Sequence, residues 1–247
     1  MPAHHPARGL PAALAGLACL ALAGCAAGGA AAVAAQGQTG SHGSSGSQGG
    51  TPAVAPTVIP AQLGDTWVYA VDSSVLGKGT ETARISAVRP VAGGQRATLS
   101  TSLRLAGSKA PFKFASDFTA AADGSIRFGS TSFMGARLAS ANVNWPSPAA
   151  LTPGRPRTST VSGSFLGFKT TEHLTITEVG QATVIVPAGS YEATLLEQTV
   201  TDGGGSREVV KCWVVNGIGQ VKTETTVIVK GQRTVTTAQA LTSFTKG

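Results

Sequence analysis

From Ile59 onward the chain is a succession of short alternating stretches divided by glycine-rich joints, and this pattern narrows the fold more than any other feature. In "TWVYAVDS" at 66–73, Trp67, Tyr69 and Val71 share one side, because successive side chains of a strand point to opposite faces. "TETARISAV" follows after "VLGKG" as the second arm of a hairpin would, and "QRATLSTSLRLAG" alternates again. Further on, "TSTVSGSFLGF", "KTTEHLTITEV", "QATVIV", "YEATLLEQTV", "REVVKCWVV", "GQVKTETTVIV" and "QRTVTTAQALTSF" read as successive strands. Their joints, "GQ", "PAGS", "TDGGGS", "NGIG" and "KGQ", hold the Gly, Asn and Asp that turns with positive φ require. Thr and Val are abundant, and their branched side chains suit a pleated surface. No window of ten residues beyond the N-terminal segment carries a 3.6-residue apolar period with caps.

The pattern therefore predicts an all-β domain over residues 59–247, built as a strongly curved antiparallel sheet or open half-barrel, with a β-sandwich as the alternative. The middle is harder to order. Short strands are expected around Phe112 and Phe114, then a turn at "ADGS" and a pair through Ile126 to Leu138. Residues 142–159 hold four prolines and read as a long loop, because proline lacks the ladder donor; two subdomains could join there.

The first sixty residues belong to a different physical regime. A weakly basic lead with Arg8 precedes an apolar run of about fifteen residues, short of the roughly 20 that a membrane-spanning helix needs but suited to a secretory signal. The run ends in Leu22-Ala23-Gly24-Cys25, which resembles the bacterial lipoprotein signal. That resemblance implies that residues 1–24 are removed and that Cys25 carries the lipid, palmitate included, as the first residue of the mature chain. Residues 26–58 contain no Asp, Glu, Lys or Arg and consist largely of Ala, Gly, Ser, Gln, Thr and Pro. Such a chain buries too little apolar surface to offset its ordering entropy, so 25–58 is expected to be a lipidated start followed by a disordered tether. As a coil it spans roughly 30 Å.

Nineteen Lys and Arg stand against 12 Asp and Glu; without Arg8 the balance is 18 against 12, or +6. The cations are scattered singly, with no basic stripe, zinc-finger spacing or RNA-binding aromatic motif, so nucleic acid is not an expected partner. Of three cysteines, Cys19 leaves with the signal and Cys25 is lipidated, so Cys212 has no intramolecular disulfide partner. Within "VVKCWVV" it reads as a buried strand residue.

Three stretches go beyond general strand character. "IPAQLGDTWVYAV" places Pro60, Leu63, Gly64, Asp65, Trp67 and Tyr69; "VIVPAGSYEATLLE" places Val186, Pro187, Ala188, Gly189 and Tyr191; "CWVVNGIGQVKTE" places Trp213, Gly217, Gly219, Val221, Lys222 and Glu224. Together, in this order, they resemble envelope lipoproteins of the TapB and DUF3108 group. The chain departs from that pattern at Asn216, where the group often has proline. The resemblance implies a curved antiparallel sheet and an envelope location, and no established chemistry. By their own physical chemistry, Gly64-Asp65 suits a turn that sends Trp67 and Tyr69 inward, Pro187 ends a strand, and Gly217 and Gly219 flank a hairpin turn.

Catalytic constellations do not emerge. His173 is the one histidine of residues 59–247, and as strand neighbours Glu172 and His173 point to opposite faces. Zinc normally takes three or four protein ligands, and the domain has one histidine and one unlipidated cysteine. No Ser lies in a nucleophile elbow, and "TDGGGS" lacks the lysine and the following helix of a phosphate loop. Asp117, Asp123, Glu192, Glu197 and Glu208 are carboxylates that a hydrolase could pair across a cleft. The expectation is a bacterial protein that is not an enzyme and uses no cofactor or metal.

Five of the eight phenylalanines, Phe112, Phe114, Phe118, Phe128 and Phe133, are concentrated in the middle. They either line an apolar hollow or fill the core. The resulting functional expectation is a lipid-anchored envelope protein that binds an apolar ligand, a polymer or an envelope partner; the alternatives are an assembly protein and an envelope hydrolase. Its membrane contact is the lipid on Cys25, at the outer face of the cytoplasmic membrane or at the outer membrane. The residue after Cys25 is Ala26, not the aspartate associated with inner-membrane retention.

Overall fold

The computed structural model describes residues 61–146, 150–165, 168–202, 206–229 and 232–247. The signal, Cys25 and the tether lie outside them. Among the described residues there are twelve strands: β1 (Thr66–Ser73), β2 (Gly77–Val91), β3 (Gly94–Leu105), β4 (Phe112–Ala121), β5 (Ile126–Phe133), β6 (Ala136–Trp145), β7 (Arg157–Phe165), β8 (Phe168–Val186), β9 (Gly189–Asp202), β10 (Ser206–Val215), β11 (Gly219–Val229) and β12 (Gln232–Thr245). Each pairs antiparallel with its chain neighbours, and β1 pairs with β12, so the meander closes into a barrel. The expected curved sheet is thus carried to closure. Closure matters physically because pairing β1 with β12 removes the two outer edges that an open twelve-strand meander would expose.

The seam between β6 and β7 is short, with Ala139 opposite Phe165 and Ala141 opposite Gly163. These strands flank the proline-rich stretch, which is confined to residues 146–156; both halves of the chain belong to one sheet.

One expected joint turns out to be no turn. "GQ" at 180–181 lies inside β8, where the register with β9 shifts between Glu178 and Gly180, and Gly180 has φ 146°. A glycine within a strand commonly marks such a bulge, and bulges bend the strand they interrupt. The expected strands "KTTEHLTITEV" and "QATVIV" are thus parts of one strand, while the expected strand "TSTVSGSFLGF" is divided between β7, which ends at Phe165, and β8, which begins at Phe168.

Beyond its bulge, β8 leads into the β8–β9 turn, and the Ala188 N–H donates to the Leu241 carbonyl of β12 at 3.0 Å. Cα atoms of β8 approach those of β11 and β12. This turn therefore folds across one end of the barrel. The main core fills that end: Trp67, Ile85, Phe118, Phe128, Trp145, Leu196, Val214, Val221 and Leu241 are all buried there, with Ile218 and Ala188 packed against them.

Trp67 and Tyr69 do anchor the first strand. The indole N–H of Trp67 donates to the Ile218 carbonyl at 2.6 Å, and the Tyr69 hydroxyl donates to the Gln220 carbonyl at 2.9 Å. Asp65, fully buried before β1, accepts the Gly247 N–H at 3.0 Å and the Gln62 N–H at 3.3 Å. Asp65→Ala removes both acceptor atoms, and the expected loss is about 1–3 kcal/mol in the urea unfolding free energy. An unchanged midpoint would show that this clasp does not hold the segment before β1 to the segment after β12.

Candidate functional site

The opposite end of the barrel carries the β1–β2, β3–β4 and β5–β6 turns, and its interior is of mixed chemistry. Alternation sends Val71 of β1, Leu103 of β3 and Phe114 of β4 inward, where they form a second buried apolar cluster. Half-buried Leu105, Phe112 and Phe133 pack against it. The Phe114 and Phe133 rings sit 5.0 Å apart between centroids, and Phe112 stacks on Phe133 at 6.2 Å. Phe118 and Phe128, whose centroids are 5.9 Å apart, belong to the main core instead. The five phenylalanines are thus divided: three toward this end and two in the packed end.

Buried polar groups share the barrel interior with the apolar cluster. Glu81 of β2 accepts a hydrogen bond from the Gln239 amide of β12 at 2.9 Å, and Gln239 in turn accepts from the Thr223 hydroxyl of β11 at 2.9 Å. Thr237 donates to the Ser73 hydroxyl at 3.0 Å. Ser116 and Thr131 hydroxyls, on β4 and β5, are 3.0 Å apart. The Gln198 Oε1 of β9 is buried without a hydrogen-bond partner among the described residues. Removal of Glu81 from water pushes its carboxyl up to about 7, with the Gln239 hydrogen bond opposing that rise. Among the described residues, none of the buried polar side chains is a Lys or Arg.

Cys212 is buried in the main core, and its thiol is pushed up to about 12 by burial, with the nearby charge of Glu208 adding to the effect. A thiol held that high is not a nucleophile at neutral pH. His173 is exposed on β8, with the Thr160 hydroxyl 3.5 Å from its Nδ1.

The candidate carboxylates are dispersed. Asp117 lies in a salt bridge with Arg96 at 3.1 Å and accepts from Thr98. Asp123 is bound to Ser125 within the β4–β5 turn, which lowers its pKa. Glu192 accepts from Thr183 across β8 and β9 and is exposed, whereas Glu208 is buried. Among the described residues no group of three or more His, Cys, Asp or Glu could hold a metal ion.

Sequence reasoning passed over Glu81, Gln239 and Thr223. A signal for the first was present: Glu81 shares a strand face with Ala83 and Ile85, both buried. The partner that makes it a network residue is 158 positions away and is brought in only by barrel closure.

No family model matches the sequence, so the TapB and DUF3108 resemblance gains no support from that comparison. No curated protein matches it either. Two solved structures do resemble the barrel. One is a candidate lipoprotein from Parabacteroides distasonis, with a TM-score of 0.53 and 12% identity over 77% of this chain and 99% of that one. The other is a candidate exported protein with a YmcC-like fold from Bacteroides fragilis, with a TM-score of 0.51 and 15% identity over 78% of this chain and 100% of that one. At such identities, what this chain shares with these bacterial proteins is the fold.

Proposed function

We propose that this protein is an envelope lipoprotein, acylated on Cys25, whose barrel binds an apolar or amphiphilic ligand without catalysing a reaction on it. The observation that carries this reading is the asymmetry of the interior. One end is filled by the main core and crossed by the β8–β9 turn, while the other combines half-buried Phe112, Phe133 and Leu105 with buried hydrogen-bonding groups. An apolar chain would contact the phenylalanines, and a polar head would have Glu81 and the Gln198 carbonyl within the same interior. The structural likeness to a candidate lipoprotein and a candidate exported protein supports the envelope location, as does the Cys25 signal.

The test is mass spectrometry of the native protein extracted from membranes. The expected result is an acyl-glyceryl cysteine at position 25 together with a co-purifying apolar molecule, the latter depleted by Phe112→Ser with Phe133→Ser. A mature chain beginning elsewhere refutes the anchor. Protein free of any co-purifying molecule refutes the binding role.

A further inference from the structure

We propose that the rim formed by the β1–β2, β3–β4 and β5–β6 turns docks on an anionic lipid bilayer, independently of whether the interior holds a ligand. Among the described residues five large hydrophobic side chains are exposed, and two of them cap this rim: Val75 at 60% and Met134 at 62%. Met134 is also the single non-glycine residue among the described ones with positive φ, at 49°. With Gly135 at 86°, and Phe133 paired to Ala136, it occupies a two-residue hairpin of the kind in which both central residues need φ > 0. Asn is strongly preferred at the first of those positions, whereas a longer side chain is strained there. Met134 thus has an unfavourable backbone and an unburied apolar side chain at once. Local strain of this sort at an exposed tip points to a contact made outside the folded chain.

The charges around the tips identify the contact. Lys78, Arg104, Lys109 and Lys113 are exposed on these hairpin ends, and the carboxylate among them is Asp72 alone. Lys113 lies directly beside Met134, since the Met134 N–H donates to the Lys113 carbonyl at 2.9 Å; Lys78 is joined to the middle turn by the Ala106 N–H at 2.8 Å. Four strand spacings separate the outer turns, roughly 20 Å. Single apolar tips with amines between them over that span do not form the contiguous apolar centre of a protein interface. They match a lipid surface, where aliphatic tips enter the acyl boundary and ammonium groups pair with phosphates. The described chain enters the barrel at the opposite end, by Asp65. The coil of roughly 30 Å expected from the composition of residues 26–58 would let a barrel anchored through Cys25 lay this rim on the same membrane.

The experiment uses the mature chain from residue 25 onward with Cys25→Ser, which carries neither the apolar signal segment nor an acyl group, sedimented with phosphatidylcholine vesicles with and without phosphatidylglycerol. Binding is expected only with the anionic lipid and is lost at high salt. Each rim cation contributes roughly five-fold near an anionic surface, so Lys78→Gln with Lys109→Gln and Lys113→Gln should lower the partition constant on the order of 100-fold. Met134→Asn should weaken binding while raising the melting temperature, because Asn suits the turn better. Equal sedimentation with neutral vesicles, or unaltered binding by the triple variant, overturns the proposal. So does capture of an acidic protein by the rim with no vesicle binding.

Discussion

Glu81→Gln is expected to make the barrel more stable above pH 7 and to flatten its stability between pH 4.5 and about 7. The carboxyl is fully buried and its pKa stands at about 7 in the fold against a reference of 4.5, chiefly through desolvation. The folded chain therefore holds this proton more tightly than the unfolded chain does. Its stabilising effect is complete below pH 4.5 and disappears as pH rises through 7. A shift of that size corresponds to on the order of 3 kcal/mol at pH values above 7. Glutamine retains an oxygen to accept the Gln239 amide and carries no charge to desolvate, so the variant should recover much of that amount. Urea unfolding of both proteins across this range is the measurement. If the parent's stability does not fall relative to the variant as pH rises, Glu81 titrates as an ordinary surface carboxylate and the buried network has been misread.

The second large effect concerns closure. Trp67 lies on β1, beside the seam with β12; its ring packs 5.4 Å from that of Phe244, and its N–H reaches across to Ile218 before β11. Trp67→Ala should cost about 3–5 kcal/mol, the range for removing a large buried aromatic side chain. Trp67→Phe keeps most of the bulk and loses the donor, so about 1–3 kcal/mol is expected from the orphaned carbonyl. Chemical denaturation separates these contributions, and near-UV circular dichroism reports whether the aromatic packing survives. A loss under about 1 kcal/mol for the alanine variant would mean that the seam is held elsewhere, at odds with a buried indole.

Much of the strand order was readable because a period of two is a local property. "TWVYAVDS" coincides with β1, and the joints "PAGS", "TDGGGS", "NGIG" and "KGQ" each span the boundary between two consecutive strands. Gly180 was misread because a glycine beside a polar residue has the same local signature in a turn as in a bulge; the pairing of β8 with β9 on both sides of it decides the matter. The phenylalanines show a similar limit. Alternation predicts that Phe112, Phe114 and Phe118 share a face of β4, and they do, yet Phe118 is in the main core and Phe114 in the second cluster. Height within a barrel depends on register with neighbouring strands, which a single strand's pattern does not contain.

By itself, then, the sequence determined the all-β character, most turns, the inward apolar residues of strands such as β1 and the change of regime near Ile59, since these follow from local alternation, glycine placement and composition. Tertiary structure decided that the sheet closes, which end is filled, and which polar residues meet inside. Closure joins β1 to β12, and Glu81 to Gln239, across more than 150 residues. Its basis is the accumulated twist and register of twelve strands, which no local stretch encodes.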